Sequence, residues 1–223
     1  MKISLREFME TGQPTNSQLR QDLFVLYHYE NTPGFFVEFG GLDGIDTSNT
    51  YLLEKYHGWK GIIAEPLPRF KDDLLKNRGC IVDTRCVYST SNALVTLGEV
   101  ENFPAVSTLI EFKDYESMWK EKRQNPFEHE VLTVSLDDLL DQHNAPETVD
   151  YLSIDTEGSE FTILNSYSFR RNFNLITVEY ANQAERTKIN KLLTSRSYVQ
   201  VHQKVSNWED WYAYEPWHDV NCR

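Results

Sequence analysis

The sequence is poor in cysteine and has no long apolar run. Among its 223 residues are three cysteines, Cys80, Cys86 and Cys222, which form neither a C-x-x-C nor a Cys/His pattern. So few cysteines argue against a disulfide framework or a zinc site, and we interpret them as reduced thiols. The first residues lack the apolar core of a signal peptide, and no segment has the length of a membrane span. These absences predict a soluble, cytoplasmic protein.

Positive charge is scarce as well. The chain carries 22 Lys and Arg against 34 Asp and Glu, which gives a formal net charge of −12 at pH 7. Because proteins that bind nucleic acids normally cluster lysine and arginine, this balance argues against nucleic acid as the main partner. A neutral or cationic small molecule is the expected partner. The histidines show no H-x-x-H or H-E-x-x-H spacing, so they do not predict a metal site.

The remaining composition is that of a globular protein, with 40% hydrophobic and 25% charged residues. We predict a single α/β domain over residues 1–223, with an N-terminal helical segment at 1–33. The regular pattern loosens over residues 88–146, and an excursion of that length between two strands is typical of an insertion or lid. The sequence leaves open whether the chain forms a homo-oligomer.

Hydrophobic periodicity predicts alternating strands and helices. Strands are expected at 35–38, 61–65, 80–87, 93–99, 150–155 and 175–179. Helices are expected at 17–30, at 48–56, between Pro66 and Gly79, after Ser135, after Gly158 and at 183–195. Strands separated by helices pair in parallel through right-handed crossovers, which predicts a doubly wound sheet. The aromatic-rich end, from Tyr198 onwards, predicts an antiparallel hairpin.

Residues 35–49, FFVEFGGLDGIDTSN, combine an apolar strand with a glycine turn and a helix start. The glycines are Gly40, Gly41 and Gly44, and Ser48 and Asn49 can cap the following helix. This arrangement brings backbone N–H groups close to a polar cofactor.

Acidic side chains end four of the predicted strands: Glu38, Glu65, Asp155 and Glu179. Ligands of open parallel sheets bind at the carboxyl ends of the strands, so these acids should converge on one crevice. The glycines read G-G-x-x-G rather than G-x-G-x-x-G, and Glu38 would repel a pyrophosphate. A cofactor with a sulfonium and an ammonium group, such as S-adenosylmethionine, suits these residues better, with Glu65 holding the ribose hydroxyls.

Several motifs also resemble the FkbM family of S-adenosylmethionine-dependent methyltransferases. They are FFVEFGGLDGIDTSNTYLLEKYHGWKGIIAEPLPRF, then TVSLDDLL, DYLSIDTEGSEFTIL and LITVEY. The resemblance implies a Rossmann-like class I fold with a seven-stranded, mostly parallel sheet, helices on both faces and a C-terminal antiparallel hairpin. It implies O-methylation, often of a hydroxyl of a sugar, glycan or secondary metabolite.

The resemblance also suggests roles for individual residues. The methionine part of the cofactor would lie against Glu38 and the glycine turn, the ribose against the Glu65-Pro66 pair, and the adenine near the end of the third strand. The residues expected to bind the cofactor are therefore Glu38, Gly40, Gly41, Gly44, Ser48, Asn49, Glu65, Pro66, Asp83 and Cys86.

Three carboxylates are candidates for the chemistry: Asp155, Glu157 and Glu179. Asp155 or Glu157 could be the general base that takes the proton of the acceptor hydroxyl. Alternatively, Asp155 and Glu179 could bind a divalent cation such as Mg²⁺, which would lower the pKa of the acceptor. Two other functions stay open: a nucleotide-dependent sugar oxidoreductase or epimerase, and a non-catalytic binding module on the same fold.

Overall fold

A seven-stranded sheet forms the centre of the fold. The structure, a computed structural model, describes residues 3–30 and 32–221, except the side chains of 219–221, so Cys222 lies outside it. The strands of this sheet are β1 (Phe35–Phe39), β2 (Lys60–Ala64), β3 (Ile81–Asp83), β8 (Thr148–Ile154), β9 (Asn172–Glu179), β10 (Tyr198–Val201) and β11 (Glu209–Tyr214). Their order across the sheet is β3-β2-β1-β8-β9-β11-β10. β11 runs antiparallel to both of its neighbours, and the other pairs are parallel. This arrangement is the class I methyltransferase fold predicted from the sequence, including its terminal hairpin.

Eight helices connect the strands in the described part of the chain. They are α1 (Leu5–Met9), α2 (Gln21–Tyr29), α3 (Tyr51–His57), α4 (Lys71–Asn77), α5 (Leu136–Gln142), α6 (Glu160–Ser166), α7 (Gln183–Thr194) and α8 (Glu215–Asn221). The start of α5 follows from its sequence, because the Ser135 side chain accepts a hydrogen bond from the Asp138 N–H. The end of α3 is equally local, since Gly58 adopts the left-handed conformation that closes a helix.

The two faces of the sheet are covered by different helices because side chains alternate along each strand. In β1, Val37 and Phe39 belong to one hydrophobic cluster, which includes residues of α5, α6 and α7. Phe36 belongs to the cluster on the other face, with residues of α1, α2 and α3. The central strands are therefore buried on both sides, which explains their nearly continuous apolar sequences.

A second, four-stranded sheet lies within residues 86–135. Its strands are β4 (Cys86–Tyr88), β5 (Leu94–Glu99), β6 (Thr108–Leu109) and β7 (Phe127–Ser135), in the order β4-β7-β5-β6. Between β5 and β7, residues 100–126 consist of loops, short 3₁₀ turns and the strand β6; we call them the inserted segment. A small core joins this segment to the rest of the second sheet and to the loop after β2, and it consists of Leu67, Cys86, Leu97, Leu109, Phe112 and Val131.

Some sequence-based boundaries differ from the structure. The strand predicted at 80–87 is two strands, β3 and β4, which lie in different sheets. The predicted helix at 17–30 begins only at Gln21, because Ser17 pairs with Thr47 in an isolated bridge. The helix predicted from residue 48 begins at Tyr51, whose N–H donates to the Ser48 hydroxyl at 3.1 Å.

Within residues 3–30 and 32–221, no helix combines the length and the apolar character needed to cross a bilayer.

Candidate active site

A cavity of about 660 Å³ opens where β1, β2, β8 and β9 reach their carboxyl ends. Gly40, Glu65, Asp155 and Glu179 line it, each directly at or after the end of one of these strands. Residues of the inserted segment line it as well. The volume is within the range of small-molecule and cofactor sites. Three of the four strand-end acids thus converge on one crevice, as the parallel topology predicts.

Gly40, directly after β1, lies against the backbone of Asp155, directly after β8. Its φ is +78°, and its N–H donates to the Ala64 carbonyl at 3.1 Å. A Cβ atom at this position would lie 2.0 Å from the backbone oxygen of Asp155. Only glycine fits this conformation and this spacing. Gly41 and Gly44, by contrast, are buried and do not line the cavity.

Glu38 lies below the glycine turn rather than in the cavity. Because it follows Phe36 by two positions, its side chain is on the α3 face of β1 and is 2% exposed. The carboxylate accepts hydrogen bonds from the Ser48 hydroxyl, the Asn49 N–H and the Thr50 hydroxyl. Arg78 approaches it at 3.4 Å. The cavity lining therefore does not include Glu38, Ser48 or Asn49. Their hydrogen bonds with one another stabilise the glycine turn.

Arg78 ties the two ends of this network together. Its buried guanidinium donates to the Glu54 carboxylate at 2.5 Å, to the Ser48 hydroxyl at 3.1 Å and to the Thr50 hydroxyl at 2.8 Å. A buried charge pair is tolerated where, as here, further hydrogen bonds satisfy both partners. The glycine turn is therefore stabilised by a buried network of ion pairs and hydrogen bonds around Arg78.

Glu65 projects from the end of β2 and is 4% exposed. One carboxylate oxygen accepts the Leu42 N–H at 3.0 Å and the other accepts the Leu67 N–H at 2.8 Å. Each oxygen keeps a free lone pair, so the carboxylate can accept two more hydrogen bonds from neighbouring hydroxyls. Burial raises the pKa of Glu65 to about 7.

The wall beyond Glu65 is largely apolar. Pro66, Leu67, Cys86 and Val87 line it, and this is the surface on which an aromatic base could lie. Asp83 does not line the cavity. Burial acts to raise the pKa of Asp83, but hydrogen bonds from Arg85 and His143 lower it below its usual value. Its role in the structure is thus an ion-pair network beside the site.

Three carboxylates meet at the opposite side, those of Asp155, Glu157 and Glu179. One oxygen from each lies within 4.8 Å of the others. The Oδ1 atom of Asp155 is buried and has no hydrogen-bond partner. Burial followed by the charge of Asp155 holds the pKa of Glu179 well above its usual value. Burial raises the pKa of Asp155 as well.

Glu157 is held from the inserted segment. Its backbone is left-handed, with φ of +60°, and its carbonyl accepts the Thr108 hydroxyl at 2.8 Å. Its carboxylate pairs with Arg123, whose side chain is 1% exposed. Burial, and then the nearby charge of Asp155, raise the pKa of Glu157 to about 8 although Arg123 opposes the shift. Arg123 also donates to the Val106 carbonyl at 2.8 Å, so this arginine connects the carboxylates to the segment above them.

Three further polar or aromatic residues differ in their relation to the cavity. The carboxylate of Glu160 accepts the Thr156 and Gly158 N–H groups, so it fixes the loop between β8 and α6. Trp211 is fully buried and stacked on Phe24, whereas Trp208 is 43% exposed and lines the cavity.

Sequence reasoning missed several lining residues, notably Gln18, Thr47, Phe103, Met118 and Trp119. It also missed Arg123, which lies in a charged stretch with three other charged residues beside it. Nothing in the local sequence distinguishes Arg123, which is buried, from the other charged residues of this stretch. Its role depends on the fold of the inserted segment.

Comparisons with known proteins agree with this geometry. The sequence model described as "Methyltransferase FkbM domain" matches residues 38–211, most of the chain. A search of curated proteins finds no match. Among solved structures, the chain is similar to precorrin-6y C5,15-methyltransferase from Geobacter metallireducens GS-15, with 12% identity, 95% of each chain covered and a TM-score of 0.44. That similarity is too low to bear on function.

Proposed function

Because the chain belongs to the FkbM family of methyltransferases, we propose that it transfers the methyl group of S-adenosylmethionine to a hydroxyl oxygen. The acceptor would be a sugar, a glycan or a secondary metabolite. The observation that carries the proposal is the meeting, in one cavity, of a ribose-type carboxylate, Glu65, with the carboxylate cluster Asp155, Glu157 and Glu179.

Glu65 would bind the ribose of the cofactor. Its two oxygens are fixed by the N–H groups of Leu42 and Leu67, so the carboxylate is oriented before the ligand arrives. Two ribose hydroxyls can then donate to the remaining lone pairs. The apolar wall of Pro66, Leu67 and Cys86 would take the adenine, and Gly40 would let the methionine part pass close to the backbone.

Glu38 would act on the cofactor indirectly. It anchors the N–H and hydroxyl groups of residues 48–50, and this anchor sets the position of the glycine turn. A preorganised turn lowers the ordering cost of binding.

Methyl transfer is a direct displacement, so alignment of the acceptor oxygen with the methyl group supplies much of the acceleration. As the oxygen attacks, its proton must leave. Asp155 would be the base, because it lines the cavity directly after β8, its Oδ1 has no hydrogen-bond partner, and Glu157 is paired with Arg123. Asp155 would take the proton of the acceptor hydroxyl, while S-adenosylmethionine, held by Glu65 and the glycine turn, would supply the methyl group and be converted into S-adenosylhomocysteine.

The same three carboxylates could instead hold a divalent cation. Oxygen ligands at this spacing suit Mg²⁺ or Mn²⁺, and the unpartnered Asp155 Oδ1 offers a free coordination site. Such an ion would lower the pKa of the acceptor hydroxyl. Activity that EDTA abolishes and Mg²⁺ restores would favour the metal, whereas activity unchanged by EDTA but lost in Asp155→Asn would favour the base.

Calorimetry with S-adenosylhomocysteine tests cofactor binding without any acceptor. We expect the wild type to bind and Glu65→Ala to lose at least tenfold in affinity. Glu128→Gln, an exposed acid on β7 outside the cavity lining, is the matched control and should bind normally. A folded wild type that gives no heat would refute the proposal.

Turnover separates an enzyme from a binding module. Labelled cofactor is incubated with the protein and pools of hydroxylated metabolites, and mass spectrometry identifies the molecules that gain a methyl group. Methylated product supports the transferase. Cofactor binding without turnover across saccharide and metabolite pools would instead favour the non-catalytic module.

A further inference from the structure

The charged side chains that line the cavity are all acidic. Four carboxylates line the cavity: those of Glu65, Asp155, Glu157 and Glu179. In the part of the chain that the structure describes, no Lys, Arg or His lines it. An anionic ligand would thus find no cationic side chain to pair with among the lining residues of the described chain, and an unpaired charge in an enclosed site is costly.

Arg123 does not reverse this balance. Its guanidinium donates to the Glu157 carboxylate, the Val106 carbonyl and the Ser117 hydroxyl. Three of its five N–H groups therefore have partners within the protein, and Arg123 is not among the residues that line the cavity.

The mouth of the cavity is apolar and exposed. Phe103, Met118 and Trp208 are 50%, 77% and 43% exposed, and they line the cavity together with Trp119. Exposed large apolar side chains grouped around a cavity mark a binding surface. The Lys122 ammonium lies 3.2 Å from the centroid of the Phe103 ring and 4.8 Å from that of Trp119. The Lys122 ammonium thus makes cation–π contacts with both rings, which stabilises their positions at the mouth of the cavity.

We propose that the acceptor is an uncharged molecule that carries its hydroxyl on a ring with an apolar face. Phe103, Trp119 and Trp208 would select it by contact with that face. Phosphorylated sugars, nucleotide sugars and carboxylic acids are rejected, because no cationic side chain in the described part of the chain lines the cavity to pair with their charge. This inference rests on the proposed function, since it assigns the acceptor of the same site.

A matched pair of probes tests the charge preference. Methyl 6-hydroxy-2-naphthoate is neutral, whereas 6-hydroxy-2-naphthoate has the same ring and hydroxyl but is an anion at pH 7. Calorimetry measures the binding of each to the protein saturated with S-adenosylhomocysteine. We expect the neutral ester to bind at least tenfold more tightly than the acid.

Variants test the rings. Trp119→Ala and Phe103→Ala should each weaken binding of the ester at least threefold while leaving binding of S-adenosylhomocysteine unchanged, which also shows that they fold. Phe127→Ala removes an equally exposed aromatic ring outside the cavity lining and should have no effect.

The outcomes separate this inference from the proposed function. Equal or tighter binding of the anion, no binding of either probe, or ring variants that bind like the wild type would each overturn the inference. In those cases normal binding of S-adenosylhomocysteine leaves the proposed function standing. Failure of the folded protein to bind S-adenosylhomocysteine would overturn the proposed function and, with it, the inference.

Discussion

Substitution of Gly40 by alanine should damage both stability and cofactor binding. The residue is left-handed, and the added Cβ would lie 2.0 Å from the Asp155 carbonyl oxygen. The left-handed conformation costs a residue with a side chain about 1–2 kcal/mol. Relief of the clash, which requires β1 and β8 to separate by more than about an ångström, adds roughly 1–3 kcal/mol, as for an overpacked core. The expected loss of unfolding free energy is thus about 2–5 kcal/mol.

Gly12→Ala is the matched control for this prediction. Gly12 has a similar φ of +75°, yet a Cβ there would meet no atom within 4 Å. It should therefore lose only the conformational contribution of about 1–2 kcal/mol. The comparison isolates the clash at Gly40 from the backbone conformation that both glycines share.

Two assays measure the effect. Thermal unfolding should show a lower Tm for Gly40→Ala by roughly 5–15 °C, since a chain of this size loses about 2–4 °C for each kcal/mol. Calorimetry should show S-adenosylhomocysteine affinity at least tenfold below that of Gly12→Ala, because the turn and Asp155 line the same cavity. Equal Tm and equal affinity of the two variants would refute the reasoning.

Three further predictions concern charged groups. Glu38→Gln should lose about 1–3 kcal/mol of stability in urea denaturation, because it weakens the hydrogen bonds that Ser48, Asn49 and Thr50 donate to the buried carboxylate, whereas Arg78 keeps its ion pair with Glu54. A Glu38→Gln/Arg78→Met double variant should lose less than the sum of the single losses, and additive losses would contradict the coupling. Arg123→Gln removes the positive charge beside Glu157, so the acid limb of the pH–rate profile should move to higher pH. Arg123→Lys keeps the charge and should return the acid limb to its wild-type position. An unchanged profile in Arg123→Gln would argue against this contact. The pKa values of Glu65 and Glu157 are about 7 and about 8 and exceed the usual value of a glutamate. The folded state therefore binds protons more tightly than the unfolded state, and the ligand-free protein should lose about 1–3 kcal/mol of stability between pH 5 and pH 9. Glu157→Gln should reduce this loss.

The agreement between sequence and structure is best where the signal is local. The strands β1, β8 and β9 follow from apolar runs, and the caps of α5 and α3 follow from Ser135 and Gly58. The convergence of Glu65, Asp155 and Glu179 was also predictable, because parallel strands place their carboxyl ends at one edge.

Agreement is poorer where a residue's direction or neighbour matters. Glu38 has the expected position at the end of a strand, but the pleat turns its side chain to the α3 face. The segment at 80–87 has one apolar pattern but joins two sheets, because β4 pairs with the distant β7. Pairing partners that lie far away in the chain leave no mark on the local pattern.

By itself, the sequence determined the alternation of strands and helices, the class of fold, the glycine turn and the acids at the strand ends. These features depend on residue spacing and on interactions within a few positions. Only the tertiary structure decided which acids reach the cavity, that Arg123 pairs with Glu157, and that the mouth is apolar and ringed by Phe103, Trp119 and Trp208. Those features depend on how distant segments pack, and packing sets both the direction of each side chain and the charge that surrounds it.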